Sequence, residues 1–92
     1  MKKFIVERKL PGAGNMTSEE LKDISTAFNS AASSLGRQFT WLQSFVTEDK
    51  IYCIHVAENE SDIRDHARQG NFHVHMIEEI KAIIDPSNAG KY

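Results

Sequence analysis

Residues 39–57 read FTWLQSFVTEDKIYCIHVA. Two runs rich in β-branched and aromatic residues flank Glu48-Asp49-Lys50, a pattern that predicts a β-hairpin with strands over 39–47 and 51–57. Upstream, Thr17 and Glu20 have the spacing of a capping box, and Met16 is placed to staple onto Leu21. Leu21, Ile24, Phe28, Ala31 or Ala32, and Leu35 then recur at helical spacing, and Gly36 terminates the helix. Before it, Phe4-Ile5-Val6-Glu7-Arg8 is a short strand stopped by Leu10-Pro11-Gly12-Ala13-Gly14. Downstream, Asn59 with Asp62 caps a second helix, Glu60 to Gln69. Its inner face is Ile63, Ala67 and His66, and Gly70 closes it. Residues 77–84 carry a helical stripe and a strand alternation at once. Ile80, Ala82 and Ile84 against Glu79, Lys81 and Ile83, with the stop at Asp85-Pro86, favour a strand.

The resulting order, βαββαβ, is that of an α+β, ferredoxin-like domain: a four-stranded antiparallel sheet with two helices on one face. It occupies residues 1–86, and 87–92 read as a flexible C-terminal tail. Ninety-two residues suffice for one small domain, with a core modest enough that pairing of two copies is a natural source of further burial. A formal charge of −2 with interspersed signs offers no basic footprint for nucleic acid. No apolar run approaches the length of a membrane span, and the lone cysteine points to a reducing, cytoplasmic setting.

The face left open by the helices is the place to look for function. Tyr52, Ile54 and Val56 are the apolar set expected to face the helices, with Cys53, His55 and Ala57 pointing to the open side. Phe4 and Val6 are expected inside and Glu7 outside. Trp41, Phe45, Glu79 and Lys81 are expected to join the open side. Aromatics, a thiol, an imidazole and carboxylates on one sheet face suit a homodimer that closes a partly polar cavity between two sheets.

The stretches VERKLPGAGN (6–15), FTWLQSFVTEDKIYC (39–53), HVAENESDIRDHARQG (55–70) and IDP (84–86), in this order and spacing, resemble a family of small ferredoxin-like proteins that form dimeric α/β barrels, one branch of which is described as nickel-binding. The resemblance implies a homodimer. Glu7, Trp41, Tyr52, Cys53, His66 and Gly70 match positions typical of that family. His55 stands where an aromatic is common, His73 where a proline often follows the glycine turn, and His75 where a small polar residue is usual. A metal site built on those three would belong to this chain alone.

The one cysteine and all four histidines lie between positions 53 and 75. His73 and His75 flank Val74 on an extended stretch, so their side chains share one side, and with His66 they form the candidate metal ligands for Ni²⁺ or Zn²⁺. The competing reading is that the loop histidines are solvated and His66 is a half-buried histidine bonded to a backbone carbonyl. Glu7, Trp41, Tyr52, Cys53 and His55 are the candidates for a cavity or ligand site. A salt bridge from Glu7 to Arg8, Lys9 or Lys81 and an inert buried Cys53 are the alternatives there. The function these features favour is a small cytoplasmic homodimeric binding protein for a divalent transition metal such as nickel, or for a small molecule. The alternative is a cofactor-light enzyme, an oxygenase or isomerase, with its substrate cavity on the open face.

Overall fold

Both helices begin where their side chains supply the missing acceptors. Thr17 Oγ1 accepts the Glu20 N–H at 3.1 Å and Glu20 Oε1 accepts the Thr17 N–H at 2.9 Å, which starts α1 (Ser18–Ser34). Gly36, at φ 66°, turns the chain out of it through a left-handed conformation that costs glycine little. The Asn59 N–H donates to Asp62 Oδ2 at 3.3 Å and opens α2 (Glu60–Gly70). Here the left-handed terminator is Asn71 (φ 57°), one residue beyond the expected Gly70. The strands are β1 (Lys2–Lys9), β2 (Phe39–Val46), β3 (Lys50–Ala57) and β4 (Met76–Glu79), and short 3-10 turns cover Ala13–Asn15 and Pro86–Asn88. The computed structural model describes residues 1–88. Most of the predicted tail, from residue 89 on, lies outside them.

The sheet runs β2-β3-β1-β4 with every neighbour antiparallel. This is the ferredoxin-like α+β order, with both helices on one face. Phe28 and Ala31 of α1 and Ile63, His66 and Ala67 of α2 are buried against Phe4, Val6, Ile51 and Cys53. No helix among the described residues is long and apolar enough to cross a membrane.

Three expectations need correction, and each has a physical cause. The first concerns β3, whose buried set is Ile51, Cys53, His55 and Ala57, while Tyr52, Ile54 and Val56 are half-buried on the open side. Register decides this. Phe4 lies opposite His55 and Val6 opposite Cys53, and directly paired residues share a face. The smaller set faces the helices, where Phe28, Ile63 and Phe72 already fill the space.

The second concerns β2. Trp41 faces the helices, opposite His55, with its ring edge-on to Phe28 at 5.2 Å. A register shift between Trp41 and Gln43 then inverts the alternation. Ser44 thereby joins Trp41 on the helix side, and Phe45, opposite Tyr52, emerges on the open side at 52% exposure.

The third concerns the last strand, which ends at Glu79 rather than Ile84. The Ile80 N–H makes one more bond, to the Lys3 carbonyl at 2.7 Å. By the same register the following residues run past the start of β1 at Lys2, leaving Ile83 and Ile84 61% and 71% exposed. Glu79, opposite Phe4, belongs to the helix side rather than the open side.

Candidate functional site

Polar groups that the sequence pattern places on the open face are instead gathered beneath the helices. His66 sits on the buried stripe of α2 with Ile63 and Ala67. Its Nε2–H donates to the Phe28 carbonyl at 3.0 Å, because a carbonyl accepts only from a protonated nitrogen. That fixes the tautomer and leaves Nδ1 buried with no partner among the described residues. His55 reaches the same place from β3. Its ring centroid lies 5.1 Å from that of His66 and 5.0 Å from that of Phe39, and both of its nitrogens are buried without partners among the described residues.

Burial pushes the His55 pKa down to about 3, helped by the neighbouring His66 and the Arg8 guanidinium. His66 is also lowered by burial and, less strongly, by Arg8, against the opposing pull of the Phe28 carbonyl. Both rings are therefore neutral at pH 7. Cys53 lies on the same face. Its Sγ accepts from the Ser44 hydroxyl at 2.9 Å, and Ser44 Oγ accepts the Trp41 Nε1–H at 2.9 Å. A neutral His55 cannot supply the cation that would activate this thiol as a nucleophile.

The other candidates stand apart. Glu7 is on the open side, where Lys50 Nζ pairs with its carboxylate at 2.9 Å and holds its carboxyl below the usual range. Tyr52 lies directly opposite Glu7 in the β1–β3 register. The constellation an enzyme would need, Glu7 with Trp41, Cys53 and His55, is thus divided by the thickness of the sheet. His73 and His75 are both exposed, alternating with Phe72 and Val74, which pack on the core. The His75 N–H donates to the Glu7 carbonyl at 2.8 Å, which joins this segment to β1. His66, fully buried, does not meet the two exposed histidines. Among the described residues no three His, Cys, Asp or Glu side chains gather closely enough to hold a metal ion. Within one chain, then, the described residues do not fit a nickel or zinc centre.

Arg8 is the residue that sequence reasoning overlooked. The expected partner of Glu7 at the surface is in fact 4% exposed and on the opposite face, with its Cζ 5.2 Å and 5.4 Å from the ring centroids of Phe28 and Phe72. The signal was present in the alternation, since Arg8 shares the parity of Phe4 and Val6. It was hidden by the rarity of an arginine in a core.

Comparison with known proteins agrees with this architecture. Residues 4–80 match the model of the family described as nickel responsive protein SCO4226-like. The chain is also similar to a crystal structure of SCO4226 from Streptomyces coelicolor A3(2), with a TM-score of 0.74 and 16% identity over 89% of this chain and 99% of that one. At that identity the likeness is one of fold. A search of curated proteins found no match.

Proposed function

Because the chain belongs to the family described as nickel responsive protein SCO4226-like, we propose that it is a small homodimeric binding protein, joined through the open face of its sheet, that takes up nickel between its two copies. The observation that carries the dimer is the composition of that face. Ile5, Ile54, Val56 and Tyr52, half-buried, and Phe45, 52% exposed, lie on one side of the sheet with no layer of the described residues over them, an apolar face of the kind that a second layer covers. Lys3, Glu7, Lys50 and Glu78 supply charges of both signs around it, as an interface between identical surfaces requires. The exposed Ile83 and Ile84, running beyond β1, offer further apolar contact to a second copy.

The metal half of the reading is supported by the family description. Because one chain does not assemble three ligands among its described residues, the ligands come from both copies, with the exposed His75 and the neighbouring Glu7 as donors. A cytoplasmic setting accompanies this reading, since Cys53 is a free thiol. Sedimentation equilibrium and equilibrium dialysis of tag-free protein against Ni²⁺ test both halves. The expected result is twice the chain mass and nickel retained at sub-millimolar concentration, both lost in Ile54→Asp. Wild-type protein at the chain mass overturns the dimer. A dimer that retains no nickel below the millimolar range removes the metal.

A further inference from the structure

On the helix side a cavity of about 480 Å³ opens between α1 and the segment that follows α2, within the size range of small-molecule sites. Leu10, Met16, Ile24, Phe28 and Phe72 are the bulky apolar part of its wall, Asp23 is an exposed carboxylate at its edge, and Arg8 is the buried charge in it. Arg8 uses only one nitrogen inside the protein, donating from Nη1 to the His73 carbonyl at 3.3 Å. Nε and Nη2 are buried and have no partner among the described residues. These two nitrogens form one edge of the guanidinium, the pair of parallel N–H groups that a carboxylate accepts side-on.

An arginine stays charged when buried, so it requires compensation. The faces of Phe28 and Phe72 supply part of it. Cation–π contact offsets less than the loss of hydration that goes with burying a guanidinium, and no carboxylate of the described residues pairs with it.

We propose that this cavity binds a small molecule with an apolar body and a single carboxylate, the carboxylate held by Arg8 Nε and Nη2 and the body lying against Leu10, Met16 and Ile24. Both nitrogens are covered by the wall, so the acid reaches them by displacing a side chain. Phe72, which lies over the guanidinium and belongs to neither α2 nor β4, is the side chain whose displacement this requires. Lys9 and His73 at the rim add donors at the entrance. The inference does not rest on the dimer, because the cavity and the open face lie on opposite sides of the sheet.

Isothermal titration of the wild-type protein with octanoate and with 1-octanol tests it, since the two probes share a body and differ in the head. Octanoate is expected to bind at least about tenfold more tightly than the alcohol, the advantage of a charge-assisted bidentate contact. Arg8→Gln is expected to abolish that preference. Ala27→Trp, which fills the cavity from α1 and leaves Arg8 in place, is expected to weaken octanoate at least about tenfold and keeps the test intact if the Arg8 variant does not fold. Equal binding of acid and alcohol, octanoate binding unchanged in Ala27→Trp, or no octanoate binding in the millimolar range would each overturn the proposal.

Discussion

Both faces of the sheet depart from those of a simple two-layer domain. Beneath the helices lie two imidazoles, a thiol and a guanidinium, all nearly inaccessible, whereas the face with no covering layer holds Ile5, Tyr52, Ile54, Val56 and Phe45. Burial of polar groups costs stability unless they find partners, and exposure of bulky apolar groups forgoes stabilisation. A chain that does both has something to gain from a ligand on one side and a second layer on the other. The difference teaches that apolarity alone does not identify the core face of a strand. Cross-strand register does.

Adjacent residues of β1 sharpen this contrast most strongly. Phe4 is 4% exposed and faces the helices, so Phe4→Ala should cost about 3–5 kcal/mol in urea unfolding at any protein concentration. Ile5, its neighbour on the open side, should behave differently. Ile5→Ala should lose stability that depends on protein concentration, because part of its burial comes from the second copy.

Acid should act next, and above the carboxylate range through the helix side. The folded pKa of His55 is depressed to about 3, below its usual 6.5, so the unfolded chain binds more protons between those values. The contribution is fully present above pH 6.5 and declines as pH falls towards 3, by about 1.4 kcal/mol per pH unit. His66, lowered in the same direction, adds to the decline. Urea midpoints measured from pH 7 to 4 should follow this slope, and His55→Phe should flatten it. The smallest effect belongs to the open side. Glu7→Gln removes an ion pair with the solvent-exposed Lys50 and, in metal-free protein, should change stability by less than about 1 kcal/mol.

Much of the fold was legible in the residues because it is written in local chemistry. The Thr17–Glu20 box, the Gly36 terminator, the Asn59–Asp62 start and the hairpin turn, which is tighter than expected at 48–49 with Lys50 already in β3, each act over a few positions, and together they fix the βαββαβ order. What local chemistry does not carry is the pairing between distant strands. On β3 both alternating sets are apolar enough to be buried, and only the placement of Phe4 against His55 chooses between them. The shift after Trp41 has no glycine or proline to announce it, yet it moves Phe45 to the opposite face from Trp41. The last strand stops near the start of its antiparallel partner β1, a limit set by another part of the chain.

The candidate site was divided in the same manner. Sequence reasoning separated Cys53 and His55 from a group of His66, His73 and His75. The fold instead joins His66 to His55 and Cys53 and leaves the two loop histidines in solvent. Arg8 completes the buried set, and only its parity with Val6 hinted at it.

Transfer of magnetisation between isotopically distinct chains tests the central claim most directly. In a sample mixing methyl-labelled and unlabelled protein, the account predicts interchain cross-peaks from the Ile5 and Ile54 methyls and none from Ile63, which is buried within its own chain. Interchain cross-peaks absent from both open-face isoleucines would contradict it.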